Sequence, residues 1–103
     1  MKSRREMLEE FLAADPADVF SRYALALELE KAQRPAEAIA ALREVIGRDA
    51  GYVAAYYHLG RMLARAGETA EAREVYRAGL DLAAKAGDRR TRSEIQEAIE
   101  SLD

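Results

Sequence analysis

Cysteine and tryptophan are absent from this 103-residue chain, and proline occurs only twice, at Pro16 and Pro35. Without cysteine the chain has no disulfide framework, no thiolate nucleophile and no cysteine-based zinc site. Neither proline falls inside a segment with helical periodicity, so neither interrupts a predicted helix. These absences exclude disulfide-stabilised scaffolds and thiol chemistry.

The chain also has few aromatic residues, little excess of either charge sign and no long hydrophobic run. Aromatics make up 7% of the chain although half of the residues are apolar, a balance rich in alanine that favours closely packed helices over strands. Sixteen basic against nineteen acidic residues give a net charge of −3, which leaves no basic footprint for nucleic acid. The apolar runs are too short to span a membrane, and Glu9 and Glu10 interrupt the only candidate for a signal peptide. We therefore expect an all-α, cytoplasmic protein with no membrane association.

Apolar residues recur at helical spacing in six segments. The connections are short, so consecutive helices are predicted to lie antiparallel. Asp15 and Pro16 are interpreted as a cap and a first-turn proline, and the run from Thr91 to Glu94 has the form of a capping box. Five of the predicted helices cover about residues 2–14, 18–32, 52–66, 69–85 and 91–102. The remaining one, the third along the chain, follows a break at residues 33–35 and is expected to end near residues 47–49.

Many of these apolar positions repeat at an interval of 34 residues. Five pairs obey it: Leu25 and Leu59, Ala26 and Gly60, Leu29 and Leu63, Ala38 and Ala72, Leu42 and Tyr76. The same interval places Leu8 and Phe11 where Leu42 and Val45 stand, so the first helix is interpreted as half a repeat that lacks its partner helix.

Residues 53–84 resemble the tetratricopeptide repeat family, whose motif they match in order with Tyr56, Leu59, Gly60, Leu63, Gly67, Ala72 and Tyr76. Residues 19–50 match less closely, because Arg22 stands in the aromatic position and Gln33 replaces the turn glycine. The resemblance implies a single domain over residues 1–103, a short α-solenoid of helical hairpins. It would comprise a half-repeat helix (2–14), repeat 1 (19–50), repeat 2 (53–84) and a capping helix (91–102) with a polar outer side. Tyr56 is expected to insert between helices, and Gly60 and Ala72 to allow close backbone approach.

The resemblance also implies a concave groove, lined by the first helix of each hairpin, that binds a peptide or protein segment. Tyrosine and arginine, which often carry binding energy at interfaces, are prominent on that face. The expected partner is a segment with an acidic group, and the protein is expected to be non-enzymatic. The chaperone-binding carboxylate clamp of the family is not expected, because Tyr23, Ala24, Leu27 and His58 occupy comparable places. The candidate groove residues are Phe20, Tyr23, Leu27, Lys31, Tyr57, His58, Arg61 and Arg65.

Two alternatives remain open for the same residues. Phe20, Tyr23 and Leu27 could simply pack against the first helix or a second copy of the chain. If a second copy covers these apolar residues or the exposed side of the unpaired first helix, the protein would be a self-associating scaffold. Arg61 and Arg65 could form surface ion pairs with Glu94 or Glu97, and such pairs contribute little individually.

Catalytic, metal and cofactor sites are not predicted. His58 is the only histidine, and the chain has no glycine-rich phosphate loop, zinc-ligand spacing or nucleophile elbow. Arg89, Arg90 and Arg92 form the densest basic cluster, but acidic residues follow it, so a nucleic-acid accessory role is the least favoured hypothesis.

Overall fold

A computed structural model describes residues 1–102, and the described chain is all helical, which confirms the predicted class. It divides into two compact units, residues 1–50 and the chain from Gly51 onward. The helices are α1 (Arg4–Ala14), α2 (Val19–Lys31), α3 (Pro35–Arg48), α4 (Val53–Arg65), α5 (Thr69–Ala86) and α6 (Arg89–Glu100).

Side-chain caps determine where three of these helices begin. Ser3 and Glu6 form a capping box at α1, so that helix starts at Arg4 rather than residue 2. Asp18 caps α2 by accepting a hydrogen bond from the backbone N–H of Ser21 at 3.2 Å. The interpretation of Asp15 and Pro16 as the start of α2 is therefore wrong: Asp15 is the C-cap of α1, and Pro16 lies in the turn between the helices.

The start of α6 also differs from the prediction. Asp88 is its N-cap and accepts a hydrogen bond from the backbone N–H of Thr91 at 3.1 Å. Thr91 is consequently the third residue of the helix and not its cap, and the helix begins at Arg89 instead of residue 91. The side chain of Asp88 accepts a hydrogen bond from a backbone N–H group of the first turn, as the side chain of Thr91 would have done in the predicted capping box. Because Asp88 lies three residues earlier, the helix begins about one turn earlier.

In the first unit, α2 packs against both α1 and α3. Its core consists of small and branched side chains, with Ala26, Ala38, Leu42 and Val45 completely buried. Arg22, in the motif's aromatic position, is half buried, and its Nη2 donates to the backbone oxygen of Pro16 at 2.7 Å. This bond satisfies a carbonyl of the α1–α2 connection that no helix can pair.

The outer helix α1 is only half covered. Leu8 and Leu12 are buried, whereas Phe11 is 58% exposed and Met7 is 42% exposed. Val45, the residue 34 positions after Phe11, is fully buried. The interval therefore predicts the position of Phe11 in the repeat but not its burial, because the helix that would cover it is missing from the described fold.

In the second unit, α4, α5 and α6 pack against one another, and two glycines make room for tyrosine rings. A Cβ atom added to Gly60 would lie 2.5 Å from Cδ1 of Tyr76, which is 3% exposed. One added to Gly79 would lie 2.7 Å from Cβ of Tyr56 and 3.1 Å from Cδ1 of Ile95. Gly60 thus accommodates a side chain of α5 and is not there simply to bring two backbones together.

The turns inside the two hairpins are built alike. The N–H of Arg34 donates to the carbonyl of Leu29 at 3.0 Å, and that of Glu68 donates to Leu63 at 2.9 Å, which is the Schellman pattern. The residue directly before the donor has a left-handed backbone conformation in both turns: Gly67 has φ +85° and Gln33 has φ +63°. Glycine adopts this conformation without steric cost, so the second hairpin has the favoured residue at this position and the first hairpin does not.

Candidate functional site

Helix α4 presents a row of polar and aromatic side chains beside its buried face. Leu59 and Leu63 are buried, while Tyr57 and Arg61 are half buried and Arg65 is exposed. Since residues four apart lie one above the other on a helix, Tyr57, Arg61 and Arg65 form one row, which we call the α4 stripe. The structure therefore brings these three predicted site residues onto a common face.

Ring contacts order the N-terminal half of the α4 stripe. The ring of His58 meets that of Tyr57 edge to face, with 5.2 Å between centroids and 76° between planes. The guanidinium carbon of Arg61 lies 6.0 Å from the centroid of the Tyr57 ring, at the outer limit of a cation–π contact. Tyr57 is thus held between a histidine and an arginine, so less side-chain entropy remains to be lost on binding.

The phenol of Tyr76 lies within electrostatic range of the same stripe. Burial raises the pKa of Tyr76 and the neighbouring Tyr57 raises it further, while the positive charges of Arg61 and Arg65 act in the opposite direction. The net shift is upward, so the hydroxyl of Tyr76 is neutral at physiological pH. The two arginines consequently supply the positive charge of this face.

Next to the α4 stripe lies a shallow surface pocket of about 420 Å³ between α4 and the start of α6. Tyr57 and His58 provide its aromatic wall. The charged groups on the α6 side interact with one another: Arg90 pairs with Glu94 at 3.4 Å, and Asp88 caps the helix. Its lining consists of Ala54, Tyr57, His58, Asp88, Arg90, Thr91 and Glu94.

Sequence reasoning missed the α6 side of this pocket. The signal was present, because the 34-residue interval leads from Ala54 to Asp88 and from Tyr57 to Thr91. From the sequence, Glu94 is named only as an ion-pair partner of Arg61 or Arg65, and Arg90 only as part of a basic cluster; neither is placed beside Tyr57.

The four remaining candidate residues lie on α2, in the first unit, and we call them the α2 stripe. Phe20 is 62% exposed. Tyr23 and Leu27 are half buried, and Lys31 is exposed with its Nζ 3.4 Å from a carboxylate oxygen of Glu28. The α2 stripe is therefore mainly apolar, whereas the α4 stripe is aromatic and cationic.

Other kinds of site find little support in the described residues. Residues 1–102 contain no group of three side chains placed to hold a metal ion, and none of their helices is both long and apolar enough to cross a membrane. Arg89 and Arg92 share an exposed face of α6 with Gln96 and Glu97.

Comparison with known proteins identifies the architecture. The family model of the tetratricopeptide repeat matches residues 23–88. A search of curated proteins finds no match. The crystal structure of a tetratricopeptide repeat domain protein from Salinibacter ruber is 38% identical, with a TM-score of 0.76; the match covers 80% of this chain and 91% of that one.

Two further structures match over nearly the whole chain. A Bordetella parapertussis protein, solved in solution, is 28% identical with a TM-score of 0.84, and the match covers 97% of this chain and 87% of that one. The TPR2B domain of yeast Sti1, in complex with pHsp70, is 24% identical with a TM-score of 0.88, covering 93% of this chain and 77% of the other. The last likeness concerns the fold alone, and together the matches confirm the predicted repeat fold.

Proposed function

Because the chain belongs to the tetratricopeptide repeat family, we propose that it is a protein-interaction module that binds an acidic segment of a partner protein along the α4 stripe. The observation that carries this proposal is the arrangement of Tyr57 between His58 and Arg61 on a half-buried face. Tyrosine and arginine are enriched among the few residues that carry most of the binding energy at interfaces.

Charge and shape define the segment expected to bind. Arg61 and Arg65 lie four residues apart on α4, so their Cα atoms are separated by about 6 Å along the helix axis. Carboxylates at alternate positions of an extended segment are about 7 Å apart, so an acid-x-acid sequence matches that spacing. An apolar or aromatic residue beside the acids would enter the pocket at Tyr57 and His58.

The Sti1 domain is described in complex with pHsp70, but its likeness to this chain concerns the fold alone. The proposal of protein binding therefore rests on the family and on the α4 stripe itself. The α2 stripe adds a second, mainly apolar surface, on which Phe20 is the most exposed apolar residue. We propose that it contacts uncharged side chains of a partner.

A selection from a random peptide library tests the proposal. Peptides selected on the wild-type protein should be rich in Asp and Glu next to an aromatic or aliphatic residue. In fluorescence anisotropy, Tyr57→Ala and Arg61→Glu should each weaken binding by at least about 30-fold, corresponding to a loss of about 2 kcal/mol. Affinity should also fall as the salt concentration rises.

The matched control is Arg77→Glu, which reverses an exposed arginine on α5. It makes the same change in net charge and should leave binding within about twofold, since surface changes away from an interface have small effects. Equal losses in Arg61→Glu and Arg77→Glu would show that only net charge matters. Selected peptides that bind all variants alike would place the interaction elsewhere. Either result would overturn the proposal.

A further inference from the structure

The open face of α1 has a definite chemical pattern. Along it follow Arg4, Met7, Phe11 and Asp15, at steps of three or four residues, which puts them on one side of the helix. This row is cationic at its beginning, apolar in the middle and anionic at its end; we call it the α1 face. All four residues are exposed, and Met7 and Phe11 are among the few large apolar side chains that the described structure leaves exposed.

The position of Phe11 in the repeat shows that such a face is normally covered. Val45 of α3 stands at the equivalent place, 34 residues later, and is fully buried. In the described residues, α1 packs against α2, and Leu8 and Leu12 are its buried side chains. The side of α1 that carries Met7 and Phe11 is exposed in the described structure.

Charge decides which partner fits this surface. From Lys2 to Arg5 the chain carries three positive charges, and from Glu6 to Asp15 it carries four negative ones. A second α1 laid antiparallel would place the basic end of each helix against the acidic end of the other. A parallel pair would oppose like charges and is disfavoured.

We propose that the chain self-associates through the α1 face as an antiparallel, two-fold symmetric dimer. In this arrangement Met7 packs against Phe11 of the second copy, and Arg4 faces Asp15 of the second copy at both ends. Such a contact is isologous, because both copies contribute the same surface. It does not rest on partner binding by the α4 stripe.

The size of the surface predicts a weak dimer. Helix α1 has 11 residues and is therefore about 16 Å long, so the pairing buries less than the roughly 1,200 Å² typical of stable complexes. The dimer should accordingly form with rising protein concentration. A weak dimer has a dissociation constant between roughly 10 μM and 1 mM. Sedimentation equilibrium over this range of protein concentration should therefore show the change from monomer to dimer.

A charge swap distinguishes this dimer from non-specific association. Arg4→Glu and Asp15→Arg should each abolish dimerisation, because each places like charges opposite one another twice. The double variant restores opposite charges and should dimerise again. Arg4 also lies 3.7 Å from Glu28, so circular dichroism must show that each variant keeps the wild-type helix content.

Single cysteines test the register, since the wild-type chain has none. Mixing Met7→Cys with Phe11→Cys chains under oxidation should give mainly the mixed disulfide, because residue 7 faces residue 11 of the other copy. Gly47→Cys, at an exposed position with no neighbour within 4 Å, is the control and should cross-link poorly. A monomer at all concentrations, failure of the double variant to restore the dimer, or cross-linking as efficient at residue 47 would overturn the proposal.

Discussion

Replacing Gly60 with alanine tests the packing that unites the α4–α5 hairpin. A Cβ atom at this position would lie 2.5 Å from Cδ1 and 2.8 Å from Cζ of Tyr76, well inside contact distance. The ring cannot move freely, because Tyr76 is 3% exposed. Overpacking of this kind costs about 1–3 kcal/mol, while the helix gains roughly 0.5–1 kcal/mol when alanine replaces glycine.

The two contributions together predict a net loss of up to about 2.5 kcal/mol in the free energy of unfolding, with about 1 kcal/mol near the middle of the range. For a domain of this size, a loss of about 1 kcal/mol corresponds to a fall of about 4–8 °C in Tm, measured by circular dichroism. Gly47→Ala is the matched control. Gly47 lies in α3 with nothing within 4 Å of the added methyl group, so this variant should gain about 0.5–1 kcal/mol.

The chain itself suggests the compensating change. At the positions equivalent to Gly60 and Tyr76, the first hairpin carries Ala26 and Leu42, both fully buried. In a Tyr76→Leu background the aromatic ring is gone, so Gly60→Ala should cost nothing or stabilise by about 0.5–1 kcal/mol. If Gly60→Ala is as stable as Gly47→Ala, or equally destabilising with and without the ring, the explanation is wrong.

Two more predictions concern the turn of the first hairpin and the helix caps. Gln33→Gly should stabilise the protein by about 0.5–1 kcal/mol in urea unfolding, because Gln33 is left-handed where the second hairpin has Gly67; a less stable variant would contradict this. Hydrogen bonds from Ser21 lower the pKa of Asp18, and hydrogen bonds from Thr91 lower that of Asp88. The folded protein binds protons less readily there than the unfolded chain, so this stabilisation is present above pH of about 4 and is lost as the pH falls through the lowered pKa values. Asparagine at both caps keeps the capping oxygens, and melts between about pH 2 and 6 should show a weaker loss of stability than in wild type; an unchanged pH profile would count against it.

Much of the fold could be predicted because the repeat leaves a periodic record in the sequence. The 34-residue interval and the helical spacing identified the helices and matched Gly60 with Ala26 and Tyr76 with Leu42. That Gly60 makes room for the ring of Tyr76 became evident only from the packing of α4 against α5. Periodicity cannot choose between two capping residues one turn apart, so the start of α6 was misplaced from Asp88 to Thr91. Local propensity does not decide such a choice; the hydrogen bonds available in the turn do.

The candidate site was less accessible to sequence reasoning. The α4 stripe was predicted from helical spacing. The contacts of the Tyr57 ring with His58 and Arg61, however, depend on side-chain rotamers, which the sequence pattern does not encode. The pocket between α4 and α6 required knowledge of which helices meet. The exposure of Phe11 could not be predicted from its repeat position either, because the equivalent residue Val45 is fully buried. Burial depends on the neighbouring helices and not on the residue type alone.

The central claim is that the α4 stripe and its pocket form the surface that binds a partner. NMR chemical-shift mapping with a selected acidic peptide tests this most directly. The account predicts that the largest shifts fall on Tyr57, His58, Arg61 and Thr91, and that they disappear in Arg61→Glu but persist in Arg77→Glu. Saturable shifts confined to the outer face of α5 around Arg77, with the α4 amides unchanged, would contradict it.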